Sequence, residues 1–452
     1  MNLKAWGRSF TKRRSLNWIP LALTYSCMYM GRFNFNLVKS DIGLTYHLDK
    51  AEMGLIAACG FWTYALSVAI NGSIIDRLGG RKGIIVGAIG SAILNAVIGF
   101  FFLNTQVTKI LIPLSMLWSL NMYFQSWGGL SIVKINSAWF PVKERGVFGG
   151  LFGAVLSTSF ILTNTFGAWI ISHYSWTMIW FVPSALMFAF SIIDYFLVRN
   201  TPSECGLDDI DTGDGSVKGD TRLAKITLSH FKEKLFSNRV IFMLVMAEFF
   251  TGFIRQGLLL YSTEYLNEVQ LISKTDRLFA WSGIALFVGG ASGGLLSGWI
   301  SDKYFQSRRA PSAFIFFVAQ LFVFGLLGYS PYATTTLGQI IAIICIGLGA
   351  LLALGIHGLL SGTAGADFGG TRGAATVVGF VDSFQYFGSG FSGFVLGWIL
   401  KTYGWGPAPM GLNAWYWMAS LLPCSLFGAF AMLKIWGQIP TSMVPSENQP
   451  ES

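Results

Sequence analysis

Stretches of about twenty apolar residues recur along this chain, the length a helix needs to cross a bilayer core of about 30 Å at about 1.5 Å per residue. Six such stretches fall at residues 16–47, 52–75, 83–103, 110–132, 146–172 and 176–198. Six more follow at 240–266, 278–300, 313–329, 337–360, 374–401 and 414–435. Lipid offers no partner to a backbone N–H or C=O, so runs of this length must satisfy themselves as helices. The expected fold is an all-α membrane protein with twelve transmembrane helices in two six-helix halves, solvated by a lipid bilayer. Composition agrees, because 53% of the 452 residues are apolar and only 12% are charged, too few to cover a soluble surface.

Between the two sets of spans, residues 199–238 hold Pro202, Asp208, Asp209, Asp211, Gly213, Asp214, Gly215 and Gly219, a turn-rich and charged segment that lipid cannot bury. The expected organisation is a first half at 1–198, a linker at 199–238 and a second half at 239–452. Of the 31 Lys and Arg residues, 22 lie in the N-terminal segment, the even-numbered connections, the linker and the C-terminal end. Six others, Lys39, Lys50, Lys109, Lys274, Arg277 and Lys401, fall on the opposite side. Positive charge marks the cytoplasmic face, so both termini are expected there, as in a bacterial inner-membrane protein. The pI near 9.3 therefore reports topology, and no nucleic-acid partner is implied. Lys4, Arg8, Lys12, Arg13 and Arg14 precede the first span without a small-residue cleavage site, which reads as a retained helix rather than a signal peptide. Five scattered cysteines give neither a disulfide framework nor metal-ligand spacing, and no cofactor is expected.

The halves repeat. Gly72, Asp76, Arg77, Gly79, Gly80, Arg81 and Lys82 lie between the second and third spans, and Gly298, Asp302, Lys303, Arg308 and Arg309 between the eighth and ninth; the aspartates are 226 residues apart. Glu144, Arg145 and Gly146 match Thr371, Arg372 and Gly373 at an offset of 227. Two unrelated loops that agree within one residue indicate a parallel duplication, the arrangement in which two halves rock about a central site. The loop at 72–82 resembles the signature of the major facilitator superfamily, and its degenerate copy at 298–302 stands where that superfamily places one. The expected local roles are close helix approach at the motif glycine, an ion pair or helix N-terminus for Asp76, and cytoplasmic anchoring by the basic residues.

Arg32 and Arg255 lie near the middle of the first and seventh spans, 223 residues apart and so near-equivalent in the repeat. A cation at mid-membrane costs about 2.5–3.5 kcal/mol on insertion scales, so a retained pair implies a polar cavity. Tyr25, Tyr29, Arg32 and Asn36 form one helical stripe, and Glu248, Thr251, Arg255 and Ser262 another. Two guanidiniums at an interface between halves grip a phosphate or carboxylate bidentately, which makes the expected partner a small anion. Left empty, two such charges about 10 Å apart repel by about 1–2 kcal/mol at an effective dielectric near 20.

A narrower resemblance rests on Arg32 and Phe35, on Ile254, Arg255, Gly257, Tyr261, Ser262, Tyr265 and Leu266, and on Asn200, Pro202, Gly206 and Leu207 after the sixth span. Tyr174, Trp176, Gly355, His357 and Gly358 extend it over nearly the whole chain. These residues are similar to those of the organophosphate:phosphate antiporters, a resemblance that implies phosphate binding by Arg32 and Arg255 and exchange of an organic phosphate, such as a sugar phosphate, for inorganic phosphate. Where the glycerol-3-phosphate carrier of that family has further basic residues, this chain has Phe33, Val68 and Leu156, so its cavity is less positive. Asp382 shares a face with Gln385, Tyr386 and Ser389 and stands across the duplication from Leu156. It contacts a hydroxylated or cationic part of the substrate, or else neutralises an arginine.

Candidate substrate-binding residues are therefore Arg32, Arg255, Tyr29, Asn36, Asp382, Gln385, Lys134 and His357. Lys134 ends the fourth span, where a lysine also snorkels to headgroups. His357 is a candidate proton carrier, though a lone histidine among glycines is more often a packed hydrogen-bonding residue. Asp194 and Glu248 are expected nearer the cytoplasmic side, within reach of water, and Trp118, Tyr123 and Trp127 in an interfacial aromatic belt or the cavity wall. Gly289, Gly290, Gly293 and Gly294 read as close helix packing. No catalytic triad or nucleotide motif is present, and the chain is not expected to be an enzyme. A monomeric exchanger is the leading expectation; a proton-coupled symporter for a sugar acid and a sugar-phosphate-sensing receptor are the alternatives.

Overall fold

The structure, a computed structural model, describes residues 7–104, 109–211, 239–329, 335–406 and 414–438. Among them are thirteen α-helices and no strand. The first group comprises α1 (Arg8–Tyr46), α2 (Lys50–Leu78), α3 (Gly80–Leu103), α4 (Leu111–Trp139), α5 (Val142–Phe160), α6 (Gly167–His173) and α7 (Met178–Leu197); a π-helical turn at Ile161–Phe166 joins α5 to α6. The second comprises α8 (Arg239–Glu268), α9 (Arg277–Phe305), α10 (Arg309–Gly328), α11 (Thr336–His357), α12 (Gly365–Tyr403) and α13 (Trp415–Lys434), with a π-helical turn at Gly358–Ala364 between α11 and α12.

Among the described residues, nine segments are long and apolar enough to cross a membrane, spanning parts of α2, α3, α5 to α11 and α13. The other three expected spans fall on α1, α4 and α12, which run for 39, 29 and 39 residues but are interrupted by polar side chains. On α1 these include Arg32, Asn34, Asn36 and Lys39, all buried inside the protein. Low hydropathy in these helices is thus the mark of an interior face, and the count of twelve rests on the sequence reading.

At the end of the bundle that carries the start of α1, residues 199–211 are tied to the first group of helices. Arg13 Nη2 donates to the Leu197 carbonyl at 2.6 Å, Asn17 Oδ1 accepts from the Arg199 amide at 2.7 Å, and Trp139 Nε1 donates to the Arg199 carbonyl at 3.0 Å. Residues 212–238 of the expected linker lie outside the described residues, as do the side chains of Arg145 and Arg372 in the second repeated loop. In the first repeated loop Asp76 finds its cation in Lys134, 2.7 Å away on α4, and in the copy Asp302 pairs with Arg309 at 2.7 Å. Of the motif glycines, Gly80 makes the expected close approach, since a Cβ there would lie 2.6 Å from the Ser131 carbonyl of α4, whereas a Cβ on Gly72 or Gly298 meets nothing within 4 Å among the described residues.

The opposite end of the bundle is fastened across the two groups. Lys50 pairs with Glu268 at 2.5 Å, Lys274 with Asp41, and Lys401 with Asp49 at 2.6 Å. Asp49 also caps α2, accepting from the Ala51 and Glu52 amides at 2.9 Å. Burial pushes the Asp49 carboxyl up, but the hydrogen bonds from Lys401 and the cap amides outweigh it and hold the group below the usual carboxylate range. A depressed carboxylate contributes stability above its unfolded pKa and loses it as pH falls through the folded one, so this tie loosens only in strong acid. Backbones also touch there, since a Cβ on Gly54 of α2 would lie 2.2 Å from the Gly393 carbonyl of α12. Ion pairs and a close glycine contact thus join the two groups at the end away from the start of α1, which is the closed end among the described residues.

Close packing within the second group follows the glycines read from the sequence. A Cβ on Gly289 would sit 2.2 Å from the Gly347 carbonyl, and one on Gly293 2.3 Å from the Leu351 carbonyl, locking α9 to α11. At Gly252 of α8 a Cβ would lie 1.8 Å from the Gln385 carbonyl of α12, closer than any real contact. Gly252→Ala is therefore expected to push α12 off α8 and destabilise the fold by about 1–3 kcal/mol, the usual range for overpacking. Gly325→Ala, where nothing lies within 4 Å among the described residues, is expected to leave thermal unfolding in detergent unchanged or raise its midpoint.

Candidate functional site

The two arginines come together as the repeat implies. Arg32 on α1 is 2% exposed, and its guanidinium carbon lies 4.4 Å from the ring centre of Tyr29 and 4.7 Å from that of Tyr64 on α2. Arg255 on α8 is 6% exposed, donates from Nη2 to Gln385 Oε1 at 3.0 Å, and stands 5.5 Å from the Tyr386 ring of α12. The rings of Tyr64 and Tyr386 meet with centres 4.0 Å apart, so one helix from each group bridges the two guanidiniums. Aromatic faces hold a cation by their quadrupole without consuming its N–H donors. Accordingly Arg32 Nε and Nη2, Arg255 Nε and Gln385 Nε2 are buried without a hydrogen-bond partner among the described residues. Each such donor carries a desolvation penalty of about 1–3 kcal/mol, which a bound anion would remove.

Beside Arg255 lies a second cluster. His357, at the end of α11, places Nδ1 3.5 Å from Glu248 Oε2 on α8 and Nε2 3.9 Å from Asp382 Oδ1 on α12. The Ser361 hydroxyl donates to Asp382 Oδ1 at 3.4 Å. Glu248 is fully buried, which corrects the expectation that water reaches it. The same holds for Asp194, buried on α7, whose Oδ2 accepts from Thr24 at 2.7 Å.

Of the expected residues, Arg32, Tyr29, Arg255, Gln385, Asp382 and His357 are brought into one region. Asn36 and Lys134 are not. Asn36 Nδ2 donates to the Leu259 carbonyl of α8 at 3.4 Å, a tie between the groups, and Lys134 is held on Asp76. Thr251 and Ser262 bond carbonyls of their own helix. Trp118 and Trp127 line neither a belt nor the site: both are buried in the first group, Trp118 stacked on Phe35 with centres 4.8 Å apart. Phe33, at a position that is basic in the resembled glycerol-3-phosphate carrier, stacks on Phe160 at 5.1 Å.

Tyr64 carries no signal in the sequence. Lys39 does, for it continues the stripe of Arg32 and Asn36 by three residues, yet its place near the end of the span makes it read as a loop charge. It is fully buried, with Nζ 3.2 Å from Glu264 Oε2 on α8 and 3.5 Å from the centre of the Tyr261 ring. Glu264 also faces Lys50 at 3.9 Å, so one carboxylate ties both lysines across the closed end.

This architecture, two groups of helices around a paired-arginine cavity, is that of a membrane carrier. Residues 21–393 match the Major Facilitator Superfamily, and the chain belongs to that family. It is not an enzyme by family or by relatives. The glycerol-3-phosphate transporter of Bacillus subtilis (strain 168) is 26% identical over 406 residues, covering 88% of each chain. The membrane sensor protein UhpC of Salmonella typhimurium is 25% identical over 400 residues, covering 86% of this chain and 85% of that one. The hexose-6-phosphate:phosphate antiporter of the same species is 24% identical over 446 residues, covering 95% and 90%.

Breaking a buried ion pair by removing one partner costs about 3–5 kcal/mol, whereas replacing both partners with apolar side chains is often neutral. Glu264→Gln is therefore expected to lower the midpoint of unfolding in detergent sharply, and Lys39→Met with Glu264→Met to restore most of it. Equal midpoints in the wild type and Glu264→Gln would show that the Lys39 pair does not brace the closed end.

Proposed function

We propose that the protein exchanges an organic phosphate, of the sugar-phosphate class, for inorganic phosphate by alternating access across a bacterial inner membrane, with both termini and the linker cytoplasmic. The observation that carries this reading is the pair of buried guanidiniums, Arg32 and Arg255, contributed by the two groups of helices and left with unpartnered N–H donors. A phosphate presents its oxygens to both forks at once, draws α1 and α8 together and satisfies those donors. An empty carrier that occludes keeps them unsatisfied in a dry cavity, so the loaded form crosses more readily and exchange is favoured over net movement. Similarity over most of the chain to a hexose-6-phosphate:phosphate antiporter and a glycerol-3-phosphate transporter supports the same substrate class. Tyr29 and Gln385 frame the phosphate, and Asp382 takes a hydroxyl of the organic moiety.

A proton-coupled symporter is the second reading, favoured by the contacts of His357 with Glu248 and Asp382. Liposomes separate the two. With phosphate inside, labelled substrate is expected to enter quickly; with none inside, slowly. Arg32→Lys or Arg255→Lys is expected to abolish exchange, because an ammonium cannot form the bidentate fork. Rapid entry into empty liposomes under an imposed proton gradient would decide for the symporter.

The orientation has its own test. Asp208 is exposed at the start of the linker, whereas Cys205 lies against Arg13. With Asp208→Cys in a cysteine-free background, an impermeant thiol reagent is expected to label inside-out vesicles and spare intact cells; the reverse pattern would invert the topology.

A further inference from the structure

The charge count of the cavity sets a condition on what enters it. Counted as ionised, with the imidazole neutral, Glu248 and Asp382 equal in number the guanidiniums of Arg32 and Arg255 in the same region. A doubly charged anion added to that balance leaves two uncompensated negative charges in a buried, low-dielectric site. Such an excess is relieved when nearby groups take up protons rather than by solvation, which the interior cannot supply.

We propose that Glu248, His357 and Asp382 form a proton-binding site, and that a dianionic phosphate is bound together with a proton taken from solution by this cluster. The geometry assigns the roles. His357 faces a carboxylate with each ring nitrogen, at 3.5 Å and 3.9 Å, so one protonated imidazole serves both. His357 and Asp382 are 23% and 25% exposed at the side chain, which gives the proton a way in, whereas Glu248 at 0% receives it only through the imidazole. Glu248 Oε1 is buried with no hydrogen-bond partner among the described residues. Among the described residues, the titratable and charged groups facing His357 are Glu248 and Arg255 from α8 and Asp382 from α12; Tyr29 of α1 and Tyr386 of α12 flank Arg255. Against the end of α11, α9 and α10 present Gly293, Gly294 and Phe316, which do not titrate. The proton comes from water, resides on the cluster while the anion is bound, and returns to water when the anion leaves.

This inference rests on the reading of the cavity as a phosphate site, and calorimetry of the purified full-length protein in detergent tests the two separately. Inorganic phosphate is titrated at pH 8.5, where it is mostly dianionic, in two buffers of different ionisation enthalpy. The difference in apparent binding heat gives the number of protons exchanged. About one proton is expected to be taken up per phosphate, falling by half or more in Glu248→Gln and in His357→Gln. Absence of phosphate binding by the wild type overturns the proposed function, and this inference with it. Binding without proton uptake overturns only the proton site, as does undiminished uptake in both variants, which would put the proton on the phosphate itself. If neither variant binds, the wild type decides: one linked proton weakens phosphate affinity towards tenfold per pH unit in the alkaline range, and a flat profile from pH 7.5 to 9.5 overturns the proposal.

Discussion

Hydrocarbon cannot solvate a charge, and the interior of this protein is arranged around that fact. Arg32, Lys39, Glu248, Arg255 and Glu264 all lie on spans and are all buried. Each is tolerated because something on another helix meets it: the Tyr64 ring for Arg32, Gln385 for Arg255, Glu264 for Lys39 and His357 for Glu248. Few of these contacts lie within one helix, so the charges dictate which helices pack together. The cost of burying an ion becomes a specification of the fold.

The partners are of two kinds, and the difference separates bracing from binding. Lys39 and Glu264 compensate each other by charge. Arg32 is compensated by ring faces that leave two of its nitrogens unpartnered, and Arg255 keeps one nitrogen free in the same way. A charge-compensated pair stabilises one arrangement of the helices. An arginine with free donors waits for a ligand, and its energy falls when one arrives. The two kinds lie on the same helices, α1 and α8, separated by two turns, so substrate binding and the tie at the closed end act on the same pair of rods.

The ends of the bundle differ for a related reason. Salt bridges between the two groups gather where residues 39–54 meet 264–277 and 393–401, whereas the ion pairs described at the motif loops, Lys134 with Asp76 and Arg309 with Asp302, stay within one group. Alternating access requires that the fastened end be loosened when the other closes, so ties there should be individually modest. Most are partly exposed pairs of that sort, and Lys39 with Glu264 is the buried exception.

The fold class, nine of the spans and the near-equivalence of Arg32 with Arg255 were legible in the sequence, because span length, the lipid constraint and a duplication all leave one-dimensional traces. So was the tight packing at Gly289 and Gly293, since a glycine run inside a span has few other uses. The partners of the buried charges were not legible. Tyr64 and Tyr386 are hundreds of residues apart, and Glu248 could be taken as solvated until α11 and α12 were seen to close over it. Lys39 resembled a loop charge because hydropathy reports what a residue is, whereas burial reports what surrounds it. A sequence fixes which side chains must be satisfied inside a membrane; only the packing of helices distant in the chain decides what satisfies them, because those contacts have no periodicity along it.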